Sequence, residues 1–317
     1  MTTRAFVFPG QGSQTVGMGK ALVDAFPAAR QVFEEVDEAL SQNLARLMFE
    51  GPEDDLLLTE NAQPALMAVS MAVLAVLASE GGVNAADAAA CVAGHSLGEY
   101  SALCAAATFS LSDTAKLLKI RGRAMQKAAP VGEGAMAALI GLDLDATRQV
   151  AAQAAAGAPG EVCAAANDNA ATQVVVSGHK SAVIRAIDIA KEKGAKRALL
   201  LPVSAPFHCS LMAPAADAMA QALEETDMSG PAVPVIANVT ARPVSGVVEI
   251  KRLLVEQVTG MVRWRESVLA MKEMGVSEIV EIGAGKVLAG LARRIDREMT
   301  GVSVGTPGDI ESFLKTL

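Results

Sequence analysis

Residues 89–107, AACVAGHSLGEYSALCAAA, carry the clearest structural signal in the chain. The apolar residues 89–93 predict a short buried strand, and small residues continue as a predicted helix through Ala107. Between them, Gly94-His95-Ser96-Leu97-Gly98 has the form G-x-S-x-G, whose glycines permit a sharp turn that pushes the serine hydroxyl outward. This pattern alone is weak, but its place between a strand and a helix strengthens it. The stretch therefore predicts an α/β unit with Ser96 as a candidate nucleophile.

The neighbouring segments have the same α/β character. Residues 4–8 predict a strand that ends at the turn Pro9-Gly10-Gln11-Gly12-Ser13-Gln14, followed by a helix over residues 18–26. The apolar run 64–78 is too short to span a bilayer comfortably, so we expect a buried helix over residues 64–79, with Pro64 in its first turn. No membrane association is expected.

A further helix is predicted from Ser112, as its N-cap, to about Ala128. Helical spacing places Arg121 on the apolar face of this helix, beside Leu118 and Met125. Because burying an unpaired charge is costly, Arg121 is expected to have a partner.

Residues 130–202 predict a separate unit. Their elements follow the order strand 135–142, helix 145–156, strand 163–166, strand 173–177, helix 180–193 and strand 197–201. This βαββαβ order is the ferredoxin-like pattern. We therefore predict a large α/β domain in two parts, residues 1–129 and 203–317, with a small ferredoxin-like domain, residues 130–202, inserted between them.

Composition narrows the range of functions. The chain has 317 residues, a formal net charge of −8 and a sequence pI near 5.1, which argues against general nucleic-acid binding. Its four cysteines are scattered, so neither disulfides nor a zinc site is expected, and the N-terminus lacks the pattern of a signal peptide. A cytoplasmic protein is the simplest expectation.

A serine nucleophile needs a base, and the chain has three histidines. His95 adjoins the serine too closely to reach its hydroxyl, and His179 is interpreted as a turn residue. His208, in a predicted loop, is then the candidate base. No acidic residue after Ser96 stands out as its partner, and backbone carbonyls could orient the imidazole instead. The backbone N–H of Leu97, at a helix N-terminus, is suited to stabilise an oxyanion.

Two glycine-rich segments imitate nucleotide-binding motifs. Residues 10–15 lack the third glycine of G-x-G-x-x-G, and residues 283–287 lack the spacing and the Ser or Thr of a phosphate loop. We reject both nucleotide interpretations and interpret these segments as tight turns.

The ordered set of motifs resembles a known family. The motifs are, in chain order, Gly10-Gln11-Gly12-Ser13-Gln14, Gly94-His95-Ser96-Leu97-Gly98-Glu99-Tyr100, Arg121, Pro206-Phe207-His208, Gln257 with Val262-Arg263-Trp264, and residues 281–288. Together they resemble the malonyl-CoA:acyl carrier protein transacylases of bacterial fatty acid synthesis, over nearly the whole chain.

The resemblance implies a fold and a site. The fold would be an α/β-hydrolase-like core with a parallel sheet and a ferredoxin-like insertion. The family's roles fall on Ser96 as nucleophile, His208 as base, the N–H groups of Gln11 and Leu97 as oxyanion donors, Arg121 as clamp for the substrate carboxylate, the main-chain carbonyl of Gln257 as orienter of the histidine, and Phe207 as a determinant of malonyl selectivity.

The implied substrates are malonyl-CoA and phosphopantetheine-bearing acyl carrier protein, with no cofactor and no metal; we expect a monomer. Two alternatives stay open: a serine esterase or thioesterase on the same core, and a non-catalytic module that binds carrier protein. Because acyl carrier proteins are acidic, docking is predicted at basic residues, either Lys180, Lys191, Lys193, Lys196 and Arg197 or Lys286, Arg293 and Arg294. Solvated charge explains any one of these residues equally well.

Overall fold

The computed structural model of the protein describes residues 2–130 and 132–317, so Met1 and Val131 lie outside the described residues. The described strands are β1 Arg4–Phe8, β2 Cys91–Gly94, β3 Gly134–Ile140, β4 Cys163–Ala170, β5 Gln173–His179, β6 Arg197–Leu200, β7 Val235–Ala237, β8 Arg242–Val244, β9 Glu278–Ile282 and β10 Thr300–Val304. The described helices are α1 Lys20–Ala25, α2 Pro27–Leu40, α3 Leu44–Glu50, α4 Glu53–Leu57, α5 Thr59–Gly81, α6 Ala85–Ala88, α7 Gly98–Ala105, α8 Leu111–Ala128, α9 Leu144–Ala155, α10 Lys180–Glu192, α11 Ala213–Glu224, α12 Val247–Thr259, α13 Trp264–Glu273, α14 Val287–Ile295 and α15 Pro307–Leu314.

The larger sheet has the strand order β10-β9-β1-β2-β7-β8. Its first five strands are parallel, whereas β8 pairs antiparallel with β7 at the edge. All four residues of β2 and the last four of β1 are buried, as expected for strands covered by helices on both faces. The carboxyl ends of β1, β2 and β9 therefore meet at one edge, the usual place for a site in such a sheet.

The smaller sheet has the order β4-β5-β3-β6, and all its pairs are antiparallel. With α9 and α10 it has the ferredoxin-like βαββαβ order. The predicted α/β core with a ferredoxin-like small unit is confirmed. The domain boundaries at 129/130 and 202/203 stay a prediction, which the separate sheet supports.

Helix α5 crosses the core. Among the described residues, it is the one helix long and apolar enough to cross a membrane, and most of its apolar window is buried inside the protein. The prediction of a buried helix is confirmed, but the placement of Pro64 in its first turn is wrong, because α5 begins at Thr59. The earlier start is held by side chains: Gln63 Nε2 donates to Thr59 Oγ1, and Thr59 Oγ1 donates to Gln11 Oε1.

Helix α8 begins two residues before its predicted start. Ser110 is the N-cap, and its hydroxyl accepts a hydrogen bond from the N–H of Asp113. Ser112, the predicted cap, instead donates to Glu35 from within the first turn. Arg121 is buried on the inner face, as the spacing predicts.

Candidate active site

Ser96 lies on a tight turn between β2 and α7. Its φ of 55° is left-handed, a conformation that costs energy for a residue with a Cβ and occurs mainly at functional sites. The flanking glycines permit the close approach: a Cβ on Gly94 would lie 1.9 Å from the Gly98 backbone, and one on Gly98 would lie 2.3 Å from the carbonyl oxygen of Phe8. No other residue fits either position without moving the backbone.

Asn238, just after β7, holds the turn in place. Its Oδ1 accepts a hydrogen bond from the Ser96 N–H at 2.8 Å, and its Nδ2 donates to the Gly94 carbonyl at 2.7 Å. One side chain therefore fixes both sides of the strained serine.

The structure brings Ser96 and His208 together, although they are 112 positions apart in the sequence. Ser96 Oγ lies 2.7 Å from His208 Nε2, the distance of a nucleophile and its base. His208 is buried in the loop after β6, and its φ of 59° is also left-handed.

Backbone carbonyls orient the imidazole of His208. Its Nδ1 lies 2.9 Å from the Gln257 carbonyl oxygen and 3.1 Å from that of Gly260, so Nδ1 carries the proton and Nε2 is free to accept one. Burial, together with the charge of Arg121, lowers the pKa of His208 to about 3. The imidazole is therefore neutral at physiological pH, as a general base must be.

Arg121 extends from α8 to the same point. Its Nη2 donates to Ser96 Oγ at 3.2 Å and to Gln257 Oε1 at 2.9 Å, and its Nη1 donates to Gln63 Oε1 at 2.8 Å. The side chain is 1% exposed, and no carboxylate among the described residues forms an ion pair with it. A buried guanidinium bonded only to neutral acceptors beside a nucleophile is suited to bind an incoming anion.

A cleft opens above Ser96, between the two sheets. Gln11, at the turn after β1, and Leu97, the N-cap of α7, line it beside the serine. Phe207 forms part of the wall, and Asn167 and Val175 contribute from the small sheet. The structure thus gathers at one cleft six of the predicted site residues, namely Gln11, Ser96, Leu97, Arg121, Phe207 and His208.

The other two histidines have structural contacts. His95 Nε2 lies 2.8 Å from Asn169 Oδ1, and burial lowers the pKa of His95. His179 accepts a hydrogen bond from the N–H of Val162 and ends β5 directly before α10, so its interpretation as a turn residue is wrong. Within residues 2–130 and 132–317, no cluster of His, Cys, Asp and Glu could hold a metal ion.

Sequence reasoning missed three side chains that support the site. Asn238 holds the turn, Gln63 accepts from Arg121, and the buried Glu99 carboxylate accepts from Gln257 Nε2 at 2.7 Å and from the Asn238 N–H at 3.1 Å. Glu99 had a usable signal, since it is a carboxylate in an otherwise apolar helix.

An α/β core with an inserted antiparallel sheet, and a serine–histidine pair in the cleft between them, is suited to an enzyme that transfers acyl groups. The model of the acyl transferase domain family matches residues 5–305, so the chain belongs to this family.

Named relatives are similar over their whole length. The malonyl CoA-acyl carrier protein transacylase of Bacillus subtilis (strain 168) is 44% identical over 317 residues, which cover 100% of this chain and 98% of the relative. The solved acyl-carrier-protein-S-malonyltransferase of Bartonella henselae is 56% identical, with a TM-score of 0.95 and 99% of each chain covered. A solved complex of a type II PKS acyl-carrier protein with its malonyl-transacylase matches with 41% identity, a TM-score of 0.95 and full coverage of both chains. The resemblance found in the sequence is confirmed.

Proposed function

We propose that the protein transfers a malonyl group from malonyl-CoA to the pantetheine thiol of acyl carrier protein, in fatty acid synthesis. The family and its named relatives support this reaction. The structural observation that carries it is the buried guanidinium of Arg121, which pairs with no carboxylate in the part of the chain that the structure describes. It lies 3.2 Å from the hydroxyl of Ser96, which is itself 2.7 Å from the neutral His208.

In the first half-reaction, Ser96 Oγ attacks the thioester carbonyl of malonyl-CoA, and its proton passes to His208 Nε2. The negative charge on the carbonyl oxygen is stabilised by the backbone N–H groups of Gln11 and Leu97. When the tetrahedral intermediate collapses, the C–S bond breaks, and His208 returns the proton to the CoA thiolate. The products are a malonyl-serine ester and free CoA.

In the second half-reaction, the pantetheine thiol of the carrier protein gives its proton to His208 Nε2 and attacks the ester. The Ser96 oxygen leaves and takes the proton back, so the enzyme returns to its starting state. The carbonyl oxygens of Gln257 and Gly260 hold the imidazole in the required tautomer throughout both steps.

Arg121 selects the malonyl group by pairing with its free carboxylate. An acetyl group would leave the guanidinium unpaired, at a cost on the order of 2–5 kcal/mol for a buried charge that loses its partner. Phe207, in the wall of the cleft, limits the room for a substituent on the malonyl carbon.

Product analysis tests the function against its closest alternative. With malonyl-CoA and holo acyl carrier protein, we expect malonyl carrier protein to be the main product and free malonate a minor one. If hydrolysis outruns transfer while carrier protein is present, the protein is a thioesterase. If Ser96 is never acylated, the protein is the other alternative, a non-catalytic module that binds carrier protein.

The reaction takes place in the cytoplasm. The acidic carrier protein docks on basic side chains at the surface of the protein. Two basic clusters are exposed: Lys180, Lys191, Lys193, Lys196 and Arg197 on the small unit, and Lys286, Arg293 and Arg294 at α14. Because Coulomb attraction between exposed charges is screened by salt, the KM for carrier protein is expected to rise with ionic strength. A KM that does not change with salt would exclude docking through these charges.

A further inference from the structure

A neutral amide separates two buried charges behind the nucleophile. Gln257 Nε2 donates to Glu99 Oε2 at 2.7 Å, and Gln257 Oε1 accepts from Arg121 Nη2 at 2.9 Å. Glu99 is 2% exposed and Arg121 is 1% exposed, so neither charge is solvated by bulk water. The carboxylate and the guanidinium therefore lie one amide group apart without touching.

The orientation of this amide follows from the groups on its two sides. A carboxylate only accepts hydrogen bonds and a guanidinium only donates them, so the NH2 of Gln257 faces Glu99 and its oxygen faces Arg121. The Ser96 carbonyl strengthens this orientation, because it also accepts from Gln257 Nε2 at 2.9 Å. The amide is thus held by three groups.

The Gln257 amide acts as a spacer between Glu99 and Arg121. A buried arginine that binds substrate needs an opposite charge nearby, but that charge must not occupy the guanidinium. A buried charge without an opposite charge nearby is costly, but a direct buried ion pair occupies the guanidinium. Glu99 balances the charge from behind the amide, while the hydrogen bonds that Arg121 donates within residues 2–130 and 132–317 go to the neutral oxygens of Gln63, Gln257 and Ser96. Burial raises the pKa of Glu99 to about 7, against the opposing effect of its hydrogen bonds from Gln257 and Asn238 and of the Arg121 charge. The balancing carboxylate is therefore fully formed only above neutral pH.

We propose that the side chain of Gln257 determines substrate specificity by keeping Glu99 off Arg121, which leaves the guanidinium available for the carboxylate of the substrate. This inference rests on the proposed role of Arg121 in malonyl binding. It assigns the Gln257 side chain a role distinct from that of its main-chain carbonyl, which faces His208. Gln257 acts through Arg121 and is a positioning residue.

The sharpest test exchanges the two groups. The double variant Glu99→Gln/Gln257→Glu keeps the volume and net charge of the pair but places the carboxylate directly against Arg121. Because Arg121 must then give up an ion pair to bind malonyl, we expect the kcat/KM ratio of malonyl-CoA over acetyl-CoA to fall by roughly tenfold or more. A wild-type ratio in the exchanged variant would overturn the proposal.

A second pair of variants carries the test if the exchanged variant does not fold. Gln257→Ala removes the spacer, so Glu99 can pair with Arg121, and the malonyl KM should rise more than the acetyl KM. The double variant Gln257→Ala/Glu99→Gln lacks the competing charge and should restore the kcat/KM ratio of malonyl-CoA over acetyl-CoA. A purely structural role of Gln257 would not give this restoration. Failure of this restoration would contradict the proposal.

The control separates this inference from the proposed function. Glu99→Gln alone removes the competing carboxylate and keeps the spacer, so the malonyl preference should be retained. If the wild-type protein itself shows no malonyl preference that depends on Arg121, the proposed function fails. If it shows that preference and the exchanged variant keeps it, only the spacer role fails.

Discussion

At the scale of single residues, the site depends on two strained backbones. Ser96 and His208 both have left-handed φ values, near 55° and 59°, and each is held by neighbours that the sequence places far away. Ser96 could be predicted from its local pattern, and His208 by elimination. Asn238 and the Gln257 side chain could not, because an Asn after a strand and a Gln in a helix are ordinary until the fold brings them to the turn.

The low pKa of His208 predicts an unusual pH profile. Burial and Arg121 lower this pKa from 6.5 to about 3, so the base stays unprotonated as the pH falls through 6.5. Because kcat/KM reports the free enzyme, kcat/KM for acylation by malonyl-CoA is therefore expected to show no titration of His208 between about pH 8 and pH 5. Stopped-flow measurement of CoA release checks this. A fall in kcat/KM with a midpoint near 6.5 that persists in Glu99→Gln would show that His208 has an ordinary pKa and would contradict the neutral-base mechanism.

Arg121→Ala is expected to change specificity rather than abolish the chemistry. Malonyl transfer should lose on the order of 2–5 kcal/mol of transition-state stabilisation, whereas acetyl transfer should be retained or increase. Steady-state kinetics with both thioesters measures the two effects. Arg123→Ala is the matched control, since Arg123 lies on the same helix but is 66% exposed and pairs with Glu60. An intact malonyl preference in Arg121→Ala would rule out the clamp.

At the scale of elements, the strongly patterned segments were predictable and the short ones were not. Strand β1 has the predicted bounds, because it is a buried apolar run that ends at a glycine-rich turn. The start of α5 was missed because residues 59–63 are polar apart from Ala62, and their helical conformation depends on contacts with the site. No helix was predicted over α2, α3 or α4. Helices α3 and α4 are too short for a helical period to show, whereas α2 has 14 residues and buries Ala29, Val32, Phe33 and Val36 at helical spacing, so it was predictable and was missed.

The turn between β2 and α7 predicts a large difference between two glycine substitutions. In Gly98→Ala the new Cβ would lie 2.3 Å from the Phe8 carbonyl oxygen, so the backbone must shift and the free energy of unfolding should fall by about 1–3 kcal/mol. The new Cβ of Gly290→Ala, within α14, meets nothing within 4 Å, so the free energy of unfolding should rise by about 0.5–1 kcal/mol. Urea unfolding measures both. Equal effects would mean that the turn is not tightly packed.

At the scale of the whole molecule, the small sheet is fastened to the large one beside the site. Asp168 on β4 forms an ion pair of 2.9 Å with Arg265 on α13, and its N–H donates to the Val262 carbonyl. Val262 lies in the segment between α12 and α13, and this segment also contains Gly260, whose carbonyl faces His208. The junction between the sheets therefore also holds part of the active site.

A double-mutant cycle on Asp168 and Arg265 measures this connection. Because Asp168 is buried, we expect a coupling of about 1–3 kcal/mol in the free energy of unfolding. The exposed pair Asp145–Arg148 is the control and should couple by about 0.3–0.5 kcal/mol. If the two couplings are equal, the buried pair does not fasten the sheets together.

The most direct measurement for the whole account is the intact mass of the protein after mixing with malonyl-CoA in the absence of carrier protein. We expect one malonyl group per chain, mapped by peptide analysis to Ser96, and none on Ser96→Ala. Wild-type protein without the adduct, or equal labelling of Ser96→Ala, would contradict transfer through this serine.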